Sequence, residues 1–306
     1  MKYIVTGGAG FIGSNIVKKL VSRGDHVTVI DNLNTGKEEN LVSVKNKIIF
    51  LKNSILNLDL LEKQTQGIDG VFHQAALASV QDSFSKPEEY HNVNVIGTEN
   101  ILKLAKKNNF KVVYASSSSV YGNPEKIPIK ESDNKNPINP YAETKLEKEK
   151  LAKKYSEMGV KVIGLRYFNV FGKGQSKEYA VVLKLFLEKI RDKLPLKING
   201  DGTQSRDFVY VKDVADANIM SMDSKINHEF FNIGTSMSIT ILDLAKTIIK
   251  SSGLDIELNF GPALNGDVQR SVANIDLIQH KIGWKPTVIL EKWIDEIISM
   301  KKFDEI

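Results

Sequence analysis

The sequence predicts an α/β fold built on a parallel sheet. Three observations carry that prediction. Short apolar, β-branched segments alternate with segments of helical spacing through the first half of the chain, and a glycine-rich turn joins the first strand to the first helix. After about residue 166 the alternation gives way to shorter, less periodic pieces. The chain has 306 residues, long enough for one large or two medium domains with a sizeable core.

The elements follow in order. Lys2–Thr6 is short, apolar and β-branched, 11–21 has helical spacing, and 26–30 alternates again. Strands continue at 48–51, Gly70–His73 and 111–115, with a long helical stretch at 88–107 between the last two. A charged helix is expected over 141–158, after Pro140, and another strand at 161–166. Residues 207–211 read as a strand that returns to the first domain. Apart from the serine run 116–119 there is no low-complexity tract, and no internal repeat.

Composition narrows the function. With 42% hydrophobic and 26% charged residues the chain is ordinary for a soluble protein. It has no cysteine, which excludes a disulfide, a thiolate metal site and a cysteine nucleophile and fits a reducing interior. The 42 Lys and Arg exceed the 37 Asp and Glu by five, but pairs such as Lys18-Lys19, Lys106-Lys107 and Lys153-Lys154 lie in amphipathic patterns, where they solvate a helix face. No nucleic-acid partner is expected. No stretch approaches the roughly 18 apolar residues of a membrane span, and the first twenty residues read as a strand, turn and helix rather than a leader. No membrane partner and a cytoplasmic location are therefore expected. His26, His91, His228 and His280 lack metal-ligand spacing, and no metal is expected. His73 ends a buried strand and reads as structural; Trp284 and Trp293 read as core residues of C-terminal helices.

The first strand runs into Gly7, Gly8, Ala9, Gly10, Phe11, Ile12 and Gly13, satisfying G-x-G-x-x-G from Gly8 and G-x-x-G-x-x-G from Gly7. Glycine allows the tight turn, close approach of backbone to a pyrophosphate, and packing of helix on strand. The following helix then aims free N–H groups at the phosphates. Asp31 ends the second strand, where a carboxylate would hold the adenosine ribose hydroxyls; Asn32, Leu33 and Asn34 follow instead of an arginine. The reading is NAD rather than NADP.

Tyr141 and Lys145 form Y-x-x-x-K at the start of the charged helix, and residues four apart share a helix face. A phenol of pKa about 10 is a poor base at neutral pH, and a nearby ammonium is expected to lower that value. Upstream, Ser116, Ser117 and Ser118 close the strand 111–115, where strand ends of a parallel sheet face the ligand crevice.

These residues belong to a longer series of motifs: GGAGFIG (7–13), DNLNTG (31–36), HQAA (73–76), SSSSVYG (116–122), YAETK (141–145), RYFNVFG (166–172), RDFVYVKD (206–213), FNIG (231–234) and GDVQRS (266–271). In that order, over nearly the whole chain, it resembles the extended short-chain dehydrogenase/reductase family, and within it the NAD-dependent nucleotide-sugar 4-epimerases acting on UDP-glucose or UDP-GlcNAc. The resemblance implies a doubly wound Rossmann domain of residues 1–167 plus about 206–234. A smaller α/β substrate-binding domain of about 168–205 plus 235–306 would complete the chain. It implies Ser117, Tyr141 and Lys145 as catalytic residues, Tyr141 taking the proton of the sugar 4-hydroxyl and Lys145 holding the nicotinamide ribose. Cofactor contacts are implied for Gly7, Gly10, Phe11, Ile12, Gly13, Asp31, Asn32, Gly36, Ser54, Ile55, Gln74, Ala75 and Ala76. Substrate contacts are implied for Ser79, Val80, Ser117, Ser118, Tyr141, Asn169, Arg206, Asp267, Arg270 and Ser271. The two arginines suit a diphosphate, which a guanidinium binds bidentately. A homodimer through a four-helix bundle is implied, using apolar stripes of 88–107 and 141–158.

A hydrogen on C4 of a pyranose is not acidic, so inversion there calls for transient oxidation by a bound nicotinamide. Related dehydratases and decarboxylases carry a threonine and an acidic residue before VYG; here Ser117, Ser118 and Ser119 stand there, which disfavours both reactions. UDP-glucuronate 4-epimerases can show such a serine run and are the alternative, whereas RYFNVFG and Ala78-Ser79-Val80 look more like the hexose and N-acetylhexosamine enzymes. Ser271 stands where strict UDP-hexose epimerases resemble one another in a bulky tyrosine, so a 2-acetamido group is expected to fit. Ser54 replaces a frequent aspartate near adenine, Leu264 replaces a frequent arginine, and Gln74 replaces an apolar residue without an evident reason. A non-catalytic NAD sensor would be expected to have lost Ser117, Tyr141 or Lys145, and all are present.

Overall fold

The computed structural model describes residues 1–175 and 182–303. The first part comprises β1 (Lys2–Thr6), α1 (Phe11–Ser22), β2 (His26–Asp31), β3 (Ile48–Lys52), α2 (Leu58–Gln64) and β4 (Gly70–His73). It continues with α3 (Val80–Ser85), α4 (Pro87–Tyr90), α5 (Gly97–Asn108), β5 (Lys111–Ser117), α6 (Pro140–Glu157) and β6 (Val162–Tyr167). Then come β7 (Asn169–Phe171), α7 (Val182–Arg191), β8 (Leu196–Asn199), β9 (Ser205–Arg206), β10 (Phe208–Tyr210) and α8 (Val211–Asp223). The rest is β11 (His228–Ile233), β12 (Ile239–Thr240), α9 (Ile241–Ser252), β13 (Leu258–Gly261), α10 (Asp276–Ile282) and α11 (Leu290–Ser299).

Seven parallel strands form the central sheet in the order β11-β6-β5-β4-β1-β2-β3. Successive side chains of one strand go to opposite faces. Tyr3 and Val5 of β1 join one core with Ile16, Val17 and Leu20 of α1 and Val214 of α8, whereas Ile4 joins the other with Leu61, Ile101 and Ala152 from α2, α5 and α6. Both faces are covered, which is why these strands read as unbroken apolar runs. The apolar residues of α5 (Ile101, Leu102, Leu104, Ala105) are consumed by this core, leaving Ile96 and Met158 as exposed apolar residues near the helices proposed for dimerisation.

A second core holds Phe186 and Leu187 of α7, Leu244 and Ile248 of α9, and Trp293 and Ile294 of α11. Trp293 meets Phe171 edge-on at 4.9 Å between centroids. Trp284 lies after α10, not in a helix, and fills the first core instead; its Nε1 donates to Asp213 O at 2.9 Å.

Two expected elements differ from their patterns. Residues 207–211 do not return to the central sheet: β10 pairs with β7. The reason is that Phe208 points into the second core and Val209 into the first, so the strand runs along their boundary. The chain re-enters through α8 and β11, the latter pairing with β6. The stretch 88–107 is α4, a π-helical turn over His91–Ile96, and α5. Inside that turn the buried Asn94 accepts from Leu77 N (2.8 Å) and donates to Leu77 O (3.0 Å) and Thr144 Oγ1 (3.0 Å). The wider turn lets Asn94 face α6 while neighbouring Val93 reaches the cleft described below.

Asp207 ties the start of β10 to the loop after β11 and to the segment before α10. It is fully buried, and its carboxylate accepts from Thr235 N (2.8 Å), Thr235 Oγ1 (2.7 Å), Ser236 N (3.1 Å) and Ala273 N (3.0 Å). An amide there would turn an N–H₂ toward N–H donors. Asp207→Asn is therefore expected to destabilise the protein by about 2–3 kcal/mol, seen as a lower urea midpoint at unchanged slope. An unshifted midpoint would remove Asp207 from this role.

Candidate active site

One cleft of about 530 Å³ opens along the C-terminal ends of β1, β2, β4, β5 and β6, and the glycine turn forms its floor. Gly7 has φ +67°, and a Cβ on Gly13 would stand 2.1 Å from Gly7 O, so a side chain at either position would break the turn. Gly10 is the N-cap of α1 and offers no side-chain cap, and the first turn of α1 has no acidic residue. The first-turn N–H groups of Phe11 and Ile12, both lining the cleft, are thus left for a ligand anion. The cradle and the uncapped helix fit a dinucleotide pyrophosphate.

Asp31 closes one end of the cleft. Its Oδ2 accepts from Ala9 N at 2.9 Å and its Oδ1 from Leu33 N at 2.8 Å; burial raises its pKa, against the pull of these amides. Gly36 packs on this carboxylate, with room for no Cβ (2.9 Å from Oδ2), so it shapes the wall rather than lining the cleft. Asn32, Ser54 and Ile55 line the same end, joined by Asn34, Thr35 and Asn53.

At the other end Ser117, Tyr141 and Lys145 line the cleft together. Asn139 and Pro140 set the start of α6: Asn139 Oδ1 caps Ala142 N at 2.8 Å, and proline occupies the first turn, where its missing N–H costs nothing. One turn later Lys145 sends its Nζ to Ala115 O at 3.1 Å and lies over the Tyr141 ring, 5.5 Å from its centroid. Burial brings the Lys145 pKa down to about 8. Burial also raises the pKa of Tyr141, and the opposing influence is a hydrogen bond from Ser117. The ammonium was expected to exert that lowering; its Nζ is instead engaged by the backbone carbonyl.

Behind them His73 is fully buried. Thr98 Oγ1 donates to Asn94 O (2.6 Å) and so accepts from His73 Nε2 (2.9 Å), leaving Nδ1 to accept from Thr6 Oγ1 (2.7 Å). Burial, Lys148 and Lys145 push its pKa well down, so it is a neutral structural link. Gln74 also has an account: its Oε1 accepts from Tyr167 OH (3.0 Å) and its Nε2 donates to Asn218 Oδ1 (3.0 Å), tying the end of β4 to β6 and α8. Gln74, Ala75 and Ala76 all line the cleft.

On the side toward the second core, Val80, Ser118, Asn169, Arg206, Asp267 and Ser271 line the wall. Arg206 pairs with Asp267 at 2.5 Å, and Ser271 is buried. Two expected contact residues stand outside the cleft lining. The Ser79 hydroxyl caps α3 by accepting from Asp82 N at 3.1 Å and does not line the cleft. Arg270 is exposed, its residue bridging to Ser205 through the backbone, which turns it away from the wall. Sequence reasoning missed Asn139, whose Nδ2 also donates to Gly266 O at 3.2 Å; an Asn-Pro pair opening a helix could have signalled it. It also missed Glu89, Val93, Phe168 and Gln175, which line the cleft without a local motif. Among the described residues no group of three His, Cys, Asp or Glu is arranged to hold a metal, and no helix is long and apolar enough to cross a membrane.

Comparison with known proteins agrees with this geometry. The model of the NAD dependent epimerase/dehydratase family matches residues 3–234. A putative UDP-glucose 4-epimerase of Methanocaldococcus jannaschii is 38% identical over 305 residues, covering 98% of each chain. The solved UDP-N-acetylglucosamine 4-epimerase of Methanobrevibacter ruminantium M1, in complex with UDP-N-acetylmuramic acid, is similar with a TM-score of 0.92 at 39% identity over 98% of each chain. The UDP-glucose 4-epimerase of Thermotoga maritima, solved with UDP-glucose, gives 0.93 at 35% over 99% of each.

Proposed function

The chain belongs to the NAD dependent epimerase/dehydratase family and is related along its length to UDP-sugar 4-epimerases, and from that premise we propose that it interconverts UDP-GlcNAc with UDP-GalNAc and, beside them, UDP-Glc with UDP-Gal. The observation that carries the sugar assignment is Ser271, a small buried residue on the cleft wall next to Arg206 and Asp267. A hydroxymethyl group leaves room for a 2-acetamido substituent that an aromatic ring would fill. The similarity to a UDP-N-acetylglucosamine 4-epimerase supports the same assignment.

In this reading the glycine turn and the N-terminus of α1 hold the cofactor pyrophosphate, Asp31 the adenosine ribose, and Lys145 the nicotinamide ribose. When bound, NAD supplies reversible hydride transfer at the sugar C4. The chain handles the proton. Tyr141 takes it from the 4-hydroxyl as C4 becomes a ketone and returns it to the same oxygen after the sugar has turned its other face. Ser117 donates a hydrogen bond to that oxygen throughout. Arg206 and Asn169 hold the diphosphate, and the wall around Ser271 receives the sugar. No carboxylate occupies 117–119 to drive dehydration or decarboxylation. A homodimer using the surface around Ile96 and Met158, in a cytoplasmic setting, completes the proposal; sedimentation velocity tests the dimer.

The decisive experiment offers UDP-GlcNAc and UDP-Glc separately to the purified protein with NAD and follows the C4 epimers by proton NMR. Conversion of both is expected. In Ser271→Tyr the UDP-GlcNAc rate should fall at least about tenfold while UDP-Glc conversion persists. An unchanged UDP-GlcNAc rate would sink the assignment to Ser271, and no conversion of either sugar would sink the proposed reaction.

A further inference from the structure

We propose that Ser119 is a positioning residue: it fills the acceptor side of the Ser117 hydroxyl, so that this hydroxyl can only donate, toward Tyr141 and the reacting sugar oxygen. The inference rests on the reading that Ser117 and Tyr141 handle the proton at C4. A serine hydroxyl has one donor and two acceptor lone pairs. Ser119 engages both lone pairs of Ser117 Oγ, with its own hydroxyl at 2.8 Å and its backbone N–H at 3.2 Å. That leaves its one hydrogen for the cleft, which Tyr141 also lines, and Ser117 is the influence that opposes the rise of the Tyr141 pKa. The donor direction of the Ser117 hydroxyl is thus set from the side of Ser119.

The backbone holds Ser119 in that place. Ser117 ends β5 in extended conformation (φ −154°, ψ 147°), and a 3₁₀ turn over Ser118–Tyr121 begins at once, folding Ser119 back over Ser117. The turn is anchored by the buried Val120 and Tyr121, the latter donating to Asn232 Oδ1 at 2.7 Å. It stops at Gly122, whose φ is +61° and where a Cβ would stand 1.9 Å from Asn136 O. The third serine of the run is thus a built part of the site, and an alanine there would leave Ser117 free to rotate its hydrogen away from Tyr141.

The test uses the protein with NAD bound and reads the Tyr141 phenol directly. Phenolate absorbance is titrated for the parent, Ser119→Ala and Ser119→Thr, each with and without Tyr141→Phe, so that the difference isolates Tyr141. The ionisable groups near it are Lys145 on its own helix, Lys148 and His73 behind, and Arg206 and Asp267 across the cleft; all are unchanged in these variants. Ser119→Ala is expected to move the Tyr141 midpoint up by about half a unit to one unit, and Ser119→Thr, which keeps the hydroxyl, to restore it. In the NMR assay Ser119→Ala should lower kcat by about three- to tenfold at unchanged KM, with the same rescue. A midpoint unmoved by Ser119→Ala, or a phenol that stays protonated alike in every variant, overturns the inference. Failure of the parent to convert any UDP-sugar overturns the proposed reaction instead, and leaves the titration to decide on Ser119.

Discussion

Tyr141→Phe is expected to lower kcat for UDP-sugar epimerisation by about 10²–10⁴-fold, the range that a positioned acid–base group supplies. The substitution removes one oxygen from a side chain held by α6 and by Asn139 and Pro140, so cofactor and substrate binding should survive. Equilibrium dialysis of NAD and the NMR assay separate the two effects. The rate of the parent should also rise with pH up to about 8 and level off above it. Lys145 has its pKa brought down to about 8, and above that it loses the charge proposed to hold the cofactor ribose, which offsets any further gain of phenolate. Below about pH 8 the rise follows because burial raises the Tyr141 pKa and the phenolate is the proposed base. A Tyr141→Phe enzyme as fast as the parent would assign the proton to another group.

Lys148→Met is expected to stabilise the protein, and more so at lower pH. Lys148 is fully buried three residues after Lys145, its Nζ donates to the same Ala115 O at 3.3 Å, and it lies 5.5 Å from the centre of the Tyr114 ring. Burial and the charge of Lys145 hold its pKa well below the ordinary value. In the unfolded chain the amine takes a proton below about pH 10.4, whereas in the folded chain burial moves that uptake to lower pH. Protonation therefore favours unfolding, and the parent loses stability as pH falls, by up to about 1.4 kcal/mol per pH unit from this group. Methionine has similar reach and no proton to bind. At pH 7 the gain should be about 1–3 kcal/mol, as expected when a buried amine with one acceptor gives way to an apolar side chain. Urea midpoints at pH 6, 7, 8 and 9 check this: the difference between variant and parent should shrink as pH rises. Equal midpoints at every pH would mean that the folded protein binds the proton as readily as the unfolded chain.

The parts of the site that were legible in the sequence obey local rules. Gly7, Gly10 and Gly13 are required by backbone clearance within one turn, and Tyr141 and Lys145 share a helix face four residues apart. Ser117 ends a strand whose two faces are both buried, which the unbroken apolar run already announced. What was not legible depends on partners far away in the chain. Ser79 is a cap because α3 begins beside it, and Arg270 is exposed because its backbone lies along Ser205. Gln74 had no account until Tyr167 and Asn218 stood next to it.

Spacing over a few residues thus suffices for six of the seven sheet strands, for the dinucleotide turn, and for the serine, tyrosine and lysine that come to share the cleft. Packing settles where 207–211 goes, that Trp284 serves the first core, that Lys148 is a buried amine, and that Ser119 stands on the Ser117 hydroxyl. Those outcomes turn on burial and on hydrogen-bond partners supplied by other elements. A side chain's desolvation and its last free lone pair are properties of the packed molecule rather than of the chain around it.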